Sequence, residues 1–563
     1  MYTRQGATRL RRPTGRGPAT LTVHRLGAHP IVHHFLARMN VAGILRGCVG
    51  GARQGPIDHA GALEVLLHNY VLSPGPLYRI GEWAVPLEAA VFGLTETQKT
   101  AVNDDRIARA LDALASERGR NVFFRLALRI IKDFALETQR VHFDTTTVTF
   151  AGQYATSRAE PRITFGFNKD HRPDLKQLVF GLNVTADGAV PLLHHVWSGN
   201  RTDDSVHRRN TEDLRQLLGR DDFIYVADGK LCTADNLQAI AAYGGKFVTV
   251  LPRTRREDAR FRAQLRAKAA RWKTVLTIPN RRRHHAPPDL YATCAGPAAT
   301  DDGYRLIWVR SSQKAQLDAQ ARLAALRRAE LAVRELALNR RGLTTARAIR
   351  QAVRAILKRH HCEAFLTYSV HRYTETTTRY LRRGRPRPDD PVRTLTRPRW
   401  RLKGQRNTAA LRPESHTDGV FPLVTNLPHH SKREILLIYK YQPYVEKRFA
   451  HIKTELEIAP VYLKRPSRVA GLIHAYFIAL ALVSLIERQV RGAMRQRQIK
   501  ALPLLPEGRE TETPTAARIL ETFSDVCWYE FERDGETVAF PIALTPLQVQ
   551  LVELLDVPRT AYQ

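Results

Sequence analysis

The spacing of apolar residues along the chain changes near residue 139. Before that point, apolar residues recur at intervals of three and four in HPIVHHFLARMNVAGIL and DDRIARALDALASE, which predicts amphipathic helices. Asn103, followed by two aspartates, is a typical N-terminal signal for the second helix. We therefore expect an all-helical domain over residues 23–138, preceded by a basic, disordered arm over residues 1–22.

Strand-like segments follow residue 139. VHFDTTTVTF (141–150) is rich in β-branched and aromatic residues, and KQLVFGLNVTADGAVPLLHHVW contains two such runs joined by a turn at 186–188, which predicts an antiparallel hairpin. A polar helix, the apolar run FIYVAD (223–228), a helix capped by Thr233 and the strand KFVTVLP come next. The resulting order, β-β-β-α-β-α-β with right-handed crossovers, is that of the ribonuclease-H-like fold.

A different composition interrupts this order between residues 253 and 417. It contains a strand pair, a long charged helical stretch and a section rich in proline and arginine, before strand character returns in DGVFPLVTN (418–426). We expect an α/β protein whose ribonuclease-H-like catalytic core has a mixed five-stranded sheet with flanking helices. Its parts would be a core formed by 139–252 and 418–495, a basic insertion over 253–417, and a linker with a C-terminal element over 496–563.

The charge of the chain favours a polyanionic partner. Its 563 residues include 88 Lys and Arg against 54 Asp and Glu, a formal net charge of +34. Nucleic acid explains such an excess best, and an anionic membrane surface is the alternative. The apolar run Ala470–Ile486 is slightly short for a membrane span and contains a histidine, so we expect a buried core helix there. Five cysteines without a C-x-x-C pair, and no secretory signal, indicate a reducing cytoplasm.

Two aspartates and one glutamate are candidates for metal-dependent phosphodiester chemistry, which commonly uses two Mg²⁺ ions held by a few carboxylates. Asp144 lies inside an apolar strand, where a carboxylate needs a cation, hydrogen bonds or solvent. Asp228 ends a buried strand, although a turn-capping role is an alternative. Glu446 falls in the first turn of a helix that we expect to begin at Pro443, and Lys453 returns to the same face seven residues later.

These residues carry a resemblance to a known family. Tyr439, Glu446 and Lys453 match the Y-x2-R-x3-E-x6-K signature of the bacterial insertion-sequence DDE transposases of the IS-four superfamily, with Gln442 in place of the arginine. The segments around Asp144 and around VADGKLCTADNL resemble the first and second acidic motifs of that family. The helical N-terminal segment resembles that of a long-chain branch of the superfamily, and the likeness spans about residues 26–491.

The resemblance implies a transposase that cuts DNA at the ends of its own mobile element and joins the freed 3′-hydroxyl to target DNA. Asp144, Asp228 and Glu446 would coordinate two Mg²⁺ ions, for which Mn²⁺ can substitute. Tyr439 and Lys453 would contact DNA near the scissile phosphate. The partners would be double-stranded DNA, both as terminal inverted repeats and as target, and a second copy of the chain in a homodimer on DNA. Such a protein works in the bacterial cytoplasm, at the nucleoid when bound to DNA.

Further DNA contacts are expected from basic segments. Gln442 occupies the position of a phosphate-holding arginine, and Arg448 lies on the same helix. Arg383 and Arg385 belong to RRGRP, which resembles a minor-groove AT-hook core, although a solvated basic loop is the alternative. Trp400 lies among cations in RPRWRLKGQR, which suits either a phosphate-tracking loop with a stacking platform or a core anchor.

Two other functions fit the same residues. One is a catalytically weakened or domesticated relative that binds element ends as a regulator, which the glutamine at position 442 keeps open. The other is a stand-alone ribonuclease-H-like nuclease that cuts without joining.

Overall fold

The structure is a computed structural model that describes residues 19–50, 55–150, 154, 161–168, 172–280, 287–338, 343–381, 384–385, 387–389, 391–454, 463, 465–533 and 536–562. Residues 1–18 of the expected basic arm, and Arg383, lie outside them. The chain divides into two compact units, the first comprising Met1–Phe247 with Ile438–Gln563 and the second Val248–Leu437. The second unit is longer at both ends than the insertion expected over 253–417.

The first unit begins with a strand and seven helices. The Asn103 side chain accepts a hydrogen bond of 2.9 Å from the backbone N–H of Arg106, which confirms the predicted N-cap. Residues 19–22, assigned from sequence to the disordered arm, belong instead to the first strand. The elements are β1 (Ala19–Arg25), α1 (His29–Arg38), α2 (Val41–Val49), α3 (His59–Leu72), α4 (Ile80–Ala84), α5 (Glu96–Thr100), α6 (Asp104–Leu114) and α7 (Glu117–Asp133).

The predicted order β-β-β-α-β-α-β follows the helices and is confirmed. Thr233 caps the second helix of this series, accepting from the N–H of Asn236, as the sequence indicates. The elements are β2 (Arg140–Phe150), β3 (Lys176–Thr185), β4 (Pro191–Ser198), α8 (His207–Leu218), β5 (Ile224–Val226), α9 (Ala234–Ala242) and β6 (Lys246–Val250).

The second unit contains a long hairpin that the sequence analysis missed. Residues 397–406, expected as a loop, lie in a strand of fifteen residues that pairs with another of equal length. The elements are α10 (Arg256–Ala267), β7 (Lys273–Ile278), β8 (Asp289–Thr293), β9 (Arg305–Ser311), α11 (Ser312–Leu338), α12 (Ala346–Arg359), β10 (Leu366–Tyr380), β11 (Val392–Arg406), α13 (Thr408–Ser415), β12 (Val420–Thr425) and α14 (Lys432–Tyr439), which ends in the first unit.

The chain then completes the first unit. Strand β1 pairs antiparallel with a strand of this last segment, so the two ends of the described chain share one small sheet. The elements are α15 (Pro443–Thr454), α16 (Pro466–Gln496), α17 (Ala516–Glu521), β13 (Cys527–Arg533), β14 (Glu536–Phe540) and α18 (Pro546–Leu555).

The large sheet is mixed. In hydrogen-bonding order its strands are β4-β3-β2-β5-β6-β12-β9-β8-β7, which is nine strands where five were expected. The five expected strands lead this order. Strand β3 runs antiparallel to both β2 and β4, and β5 runs parallel to β2. The predicted number of strands was too small because β7, β8 and β9 were assigned to a separate insertion. Strand β9 instead pairs with β12, which was assigned to the core.

Helix α16 forms the centre of the first unit. It is long and apolar enough to cross a membrane, but 89% of its most apolar window is buried inside the protein. Nearly every residue from Val469 to Glu487 is buried, because α16 packs against α3, α6, α18 and β4. The predicted buried core helix is confirmed.

Candidate active site

Asp144 and Asp228 lie at corresponding levels of two neighbouring parallel strands. The pairing of β2 with β5 runs as far as His142 opposite Val226, and each aspartate follows two residues later. Asp228 has an extended backbone, with φ −68° and ψ −176°. Residues two apart on an extended strand share a face, and neighbouring strands lie about 4.8 Å apart. The register therefore brings the two carboxylates to the same edge of the sheet.

Both aspartates also accept backbone hydrogen bonds. Oδ1 of Asp144 accepts from the N–H of Thr145 at 2.7 Å, and Oδ1 of Asp228 accepts from the N–H of Lys230 at 3.0 Å. The second bond caps the short 3₁₀ turn Gly229–Leu231, which is the alternative role considered for Asp228. A carboxylate has about four lone-pair sites, so capping the turn does not use up its capacity to bind a cation.

Gln442 joins the glutamate-bearing helix to the strand that carries Asp144. Its Nε2 donates to the backbone carbonyl of Phe143 at 2.7 Å, and its Oε1 lies 3.1 Å from Nδ1 of His142. Helix α15 begins at the next residue, and Glu446 lies four residues after Gln442, on the same side of the helix. Glu446 is exposed in the first turn. These two contacts of Gln442 therefore hold the start of α15 next to the strand residue before Asp144.

Tyr439 lies within reach of the charges of all three acids. Its side chain is half-buried, and burial raises its pKa well above the ordinary value. The charges of Asp228, Glu446 and Asp144 raise the pKa further, each by repelling a phenolate at this position. This agrees with the β2–β5 register and with the Gln442 bond, which bring β2, the end of β5 and α15 together in the first unit. The phenol keeps its proton at neutral pH and is a hydrogen-bond donor.

The donor set of this site suits a hard divalent cation. The three acids offer only carboxylate oxygens, the ligands that Mg²⁺ prefers. Among the described residues, no group of three or more His, Cys, Asp or Glu side chains forms a ready-made cage for one metal ion. Mg²⁺ usually keeps several waters and binds through one or two carboxylates together with substrate phosphates, so pairs of these acids fit it without such a cage.

Two of the expected DNA contacts are buried instead. Gln442 is 5% exposed, and both ends of its amide are bonded within the first unit. Arg448 is 6% exposed, donates to the carbonyls of Gly188 and Ala189, and pairs with Glu487 at 2.9 Å. Their assignment as DNA contacts is corrected, because neither side chain has surface to offer a phosphate. Both residues fix α15 to its neighbours.

The other expected contacts differ in their surroundings. Lys453 lies in the last turn of α15 and is half-exposed, and Arg385 is exposed. Trp400 is half-buried against the apolar cluster of the second unit, and its Nε1 donates to the carbonyl of Thr344 at 3.1 Å. Of the two alternatives for Trp400, the structure supports the core anchor. DNA contact by Tyr439, Lys453 and Arg385 stays a prediction.

His142 is a site residue that the sequence analysis missed. It is fully buried, and burial lowers its pKa to about 4 even though the bond to Gln442 raises it somewhat. Because Oε1 of Gln442 is the acceptor, the neutral imidazole carries its proton on Nδ1. The available signal was its position between Val141 and Phe143 and two residues before Asp144, where a polar side chain in a buried strand needs a buried partner.

Comparison with known proteins gives little further information. No family model and no curated protein matches this chain. Among solved structures, the piggyBac transposase synaptic complex with hairpin DNA aligns with 90% of this chain and 82% of that chain, at 6% sequence identity and a TM-score of 0.40. A TM-score of this size does not establish a shared fold.

Proposed function

We propose that this protein is a DDE transposase. It would cut phosphodiester bonds at the ends of its mobile element and join the freed 3′-hydroxyl to target DNA. The observation that carries the proposal is the β2–β5 register, which brings Asp144 and Asp228 to one edge of the sheet, together with the Gln442 bond that fixes the helix of Glu446 to β2. The order β-β-β-α-β-α-β and the parallel pairing of β2 with β5 support a ribonuclease-H-like core.

The three acids have separate positions in this proposal. Asp144 lies on β2, Asp228 lies two residues after the end of β5, and Glu446 approaches on a helix that Gln442 fixes to β2. They would hold two Mg²⁺ ions, with Mn²⁺ as a substitute. Bound there, the ions supply activation of a water or 3′-hydroxyl and stabilisation of the leaving oxygen. Placing the acids on regular elements keeps their geometry constant between cutting and joining.

Tyr439 and Lys453 would position the DNA. The phenol of Tyr439 is protonated and lies within reach of the charges of the acids, so it can donate to a non-bridging phosphate oxygen. Lys453 adds a positive charge on the helix that carries Glu446. The net charge of +34 draws the DNA polyanion to the protein at long range.

The direct test uses purified protein, labelled DNA carrying the element end, and Mg²⁺. The proposal predicts both a cleaved product and a strand-transfer product in which the labelled 3′ end is joined to target DNA. Binding without cleavage would overturn the enzymatic function. Cleavage without joining would favour the stand-alone nuclease.

A DNA-end-binding regulator is the second candidate, and one observation favours it. The signature arginine is replaced by Gln442, which is buried and does not reach solvent. A protein lacking that phosphate contact could bind element ends while cutting them slowly. The same assay distinguishes the two, because a regulator gives a DNA complex and no product at any Mg²⁺ concentration.

A further inference from the structure

Strands β10 and β11 form a two-stranded antiparallel ribbon in the second unit. Their register pairs Leu366 with Arg406 at one end and Tyr380 with Val392 at the other. Each strand has fifteen residues, which at about 3.3 Å per residue gives a ribbon about 50 Å long. Residues directly opposite each other share a face, and the faces alternate along each strand.

One face of the ribbon is covered at its base. It carries Leu366 and Leu402, which are buried, and Val370 and Trp400, which pack against the same apolar cluster. This cluster includes Leu326, Ala329 and Val333 of α11 and Ile349, Val353 and Leu357 of α12. We call this side of the ribbon the covered face.

The opposite side, which we call the basic face, carries a row of cations. In β11 they occur at every second position, interrupted only by Leu395, and a further one lies opposite on β10. Glu375 is the acid on this face, and it pairs with Arg399 at 2.7 Å. The cations, all exposed, are Arg379, Arg393, Arg397, Arg399, Arg401 and Lys403.

Most of this charge is not neutralised within the protein. Arg379, Arg393, Arg397 and Lys403 make no ion pair with the described residues. Charged side chains also protect exposed strands against pairing with other strands. That protection does not require a single sign, whereas this face has six cations and one acid. A row of like charges repels itself, so it points to a polyanion that lies along it.

We propose that the basic face of the β10–β11 ribbon binds duplex DNA through the phosphate backbone. From Arg393 to Lys403 the row extends over about 34 Å, which is close to one turn of the double helix. A two-stranded ribbon also has the width that the major groove accepts. This surface goes beyond the acid site, and it holds whether or not the protein cuts DNA.

The side chains favour duplex DNA over two other polyanions. Membrane-binding surfaces combine cations with an apolar face, but beyond its base the covered face carries exposed Thr374, Thr376, Thr394 and Thr396, with exposed Tyr380 and Val392 confined to its tip. Single-stranded nucleic acid binds to aromatic platforms. The aromatic ring on the basic face is Tyr373, and the guanidinium of Arg401 lies 5.2 Å above it. Phosphate contacts without stacking are what a duplex requires.

The test compares two variants of the full chain, each lacking four exposed cations of the second unit. The ribbon variant carries Arg393→Gln, Arg397→Gln, Arg401→Gln and Lys403→Gln. The control carries Arg347→Gln, Arg350→Gln, Arg354→Gln and Lys358→Gln, on the exposed side of α12. Kd for a labelled duplex of arbitrary sequence is measured by fluorescence anisotropy over a range of salt concentrations, with thermal unfolding as a check on folding.

We expect the ribbon variant to bind at least about tenfold more weakly, and the slope of log K against log salt to fall by roughly one for each lost phosphate contact. The control should change Kd by less than about threefold. Equal losses in both variants would overturn the proposal, because overall charge would then set the affinity. A ribbon variant that loses binding only to single strands, to duplex RNA or to phosphatidylserine vesicles would overturn it as well. Asp228→Asn leaves the ribbon intact, so failure of the catalytic proposal is distinguishable from failure of this one.

Discussion

Gln442 donates a hydrogen bond of 2.7 Å to the carbonyl of Phe143, the residue immediately before Asp144. The other end of the same amide meets His142 at 3.1 Å. A residue expected from its motif to hold DNA therefore holds two protein elements together. It sets the position of Glu446, four residues along the helix, relative to the strand that carries Asp144.

Replacing Gln442 by Leu should destabilise the protein and slow catalysis without weakening DNA binding. The change leaves the carbonyl of Phe143 and the Nδ1–H of His142 buried without partners, at about 1–3 kcal/mol for each group. We expect the free energy of unfolding to fall by about 2–6 kcal/mol in urea titrations. Gln216→Leu, at an exposed position on α8, is the matched control and should change stability by less than about 0.5 kcal/mol.

Loss of DNA affinity at unchanged stability would contradict this role of Gln442. The catalytic readout is the rate of cleavage at saturating DNA, where weaker binding no longer contributes. There the Leu variant should remain slower than the control, because Glu446 loses its fixed position.

Replacing Arg448 by Met should destabilise the first unit by about 3–5 kcal/mol, because Glu487 would be left as a buried charge without its main partner. Burial alone would raise the pKa of Glu487, but the positive charges of Arg448 and Arg491 lower it more. Urea titration measures the loss. The double variant Arg448→Met with Glu487→Met should recover a part of it, since both charges are then gone. An Arg448→Met protein that is as stable as the wild type but binds DNA weakly would contradict this structural role and support the DNA contact that the sequence predicted.

Stability should fall as the pH drops below about 6.5. Burial lowers the pKa of several histidines of the first unit to about 4, namely His29, His142, His195, His451 and His474. Between about pH 6.5 and 4 the unfolded chain binds protons at these sites and the folded chain does not. Their contribution is therefore complete above the unfolded pKa and is lost as the pH falls towards the folded one.

Each such histidine contributes up to about 1.4 kcal/mol per pH unit within this window. Urea titrations at pH 7, 6 and 5 measure the slope. Equal stability at these three values would show that the histidines are accessible to protons in the folded protein.

The sequence predicted the elements whose pattern is local. The period of three to four before residue 139, the β-branched runs of β2 and β3, and the caps Asn103 and Thr233 all correspond to observed helices, strands and caps. Local propensity and side-chain capping act over a few residues, so the chain alone displays them.

The misses concern features that depend on distant partners. The β10–β11 ribbon was not predicted because its strands are rich in cations, and the alternation of their two faces becomes clear only from the pairing. Strand β1 was not predicted because its partner lies some five hundred residues away. Gln442 was assigned to DNA from its position in the signature. Its actual partners, His142 and Phe143, lie on a strand three hundred residues earlier, so the local sequence does not show them. Asp144 and Asp228 were candidates because one lies inside a strand and the other ends a buried run, and Glu446 because it falls in the first turn of a helix and matches the signature. Their placement relative to one another required the fold.

Asp228→Asn is the most direct test of the catalytic role of the acid site. The amide oxygen can still accept from the N–H of Lys230 and cap the turn, so the variant removes the negative charge and keeps the local structure. In an assay with labelled end DNA and Mg²⁺, we expect cleavage and joining to fall by at least about a hundredfold, while Kd for the same DNA stays within about threefold of the wild-type value. Asp228→Asn protein that cuts and joins DNA at the wild-type rate would contradict the assignment of this carboxylate to catalysis.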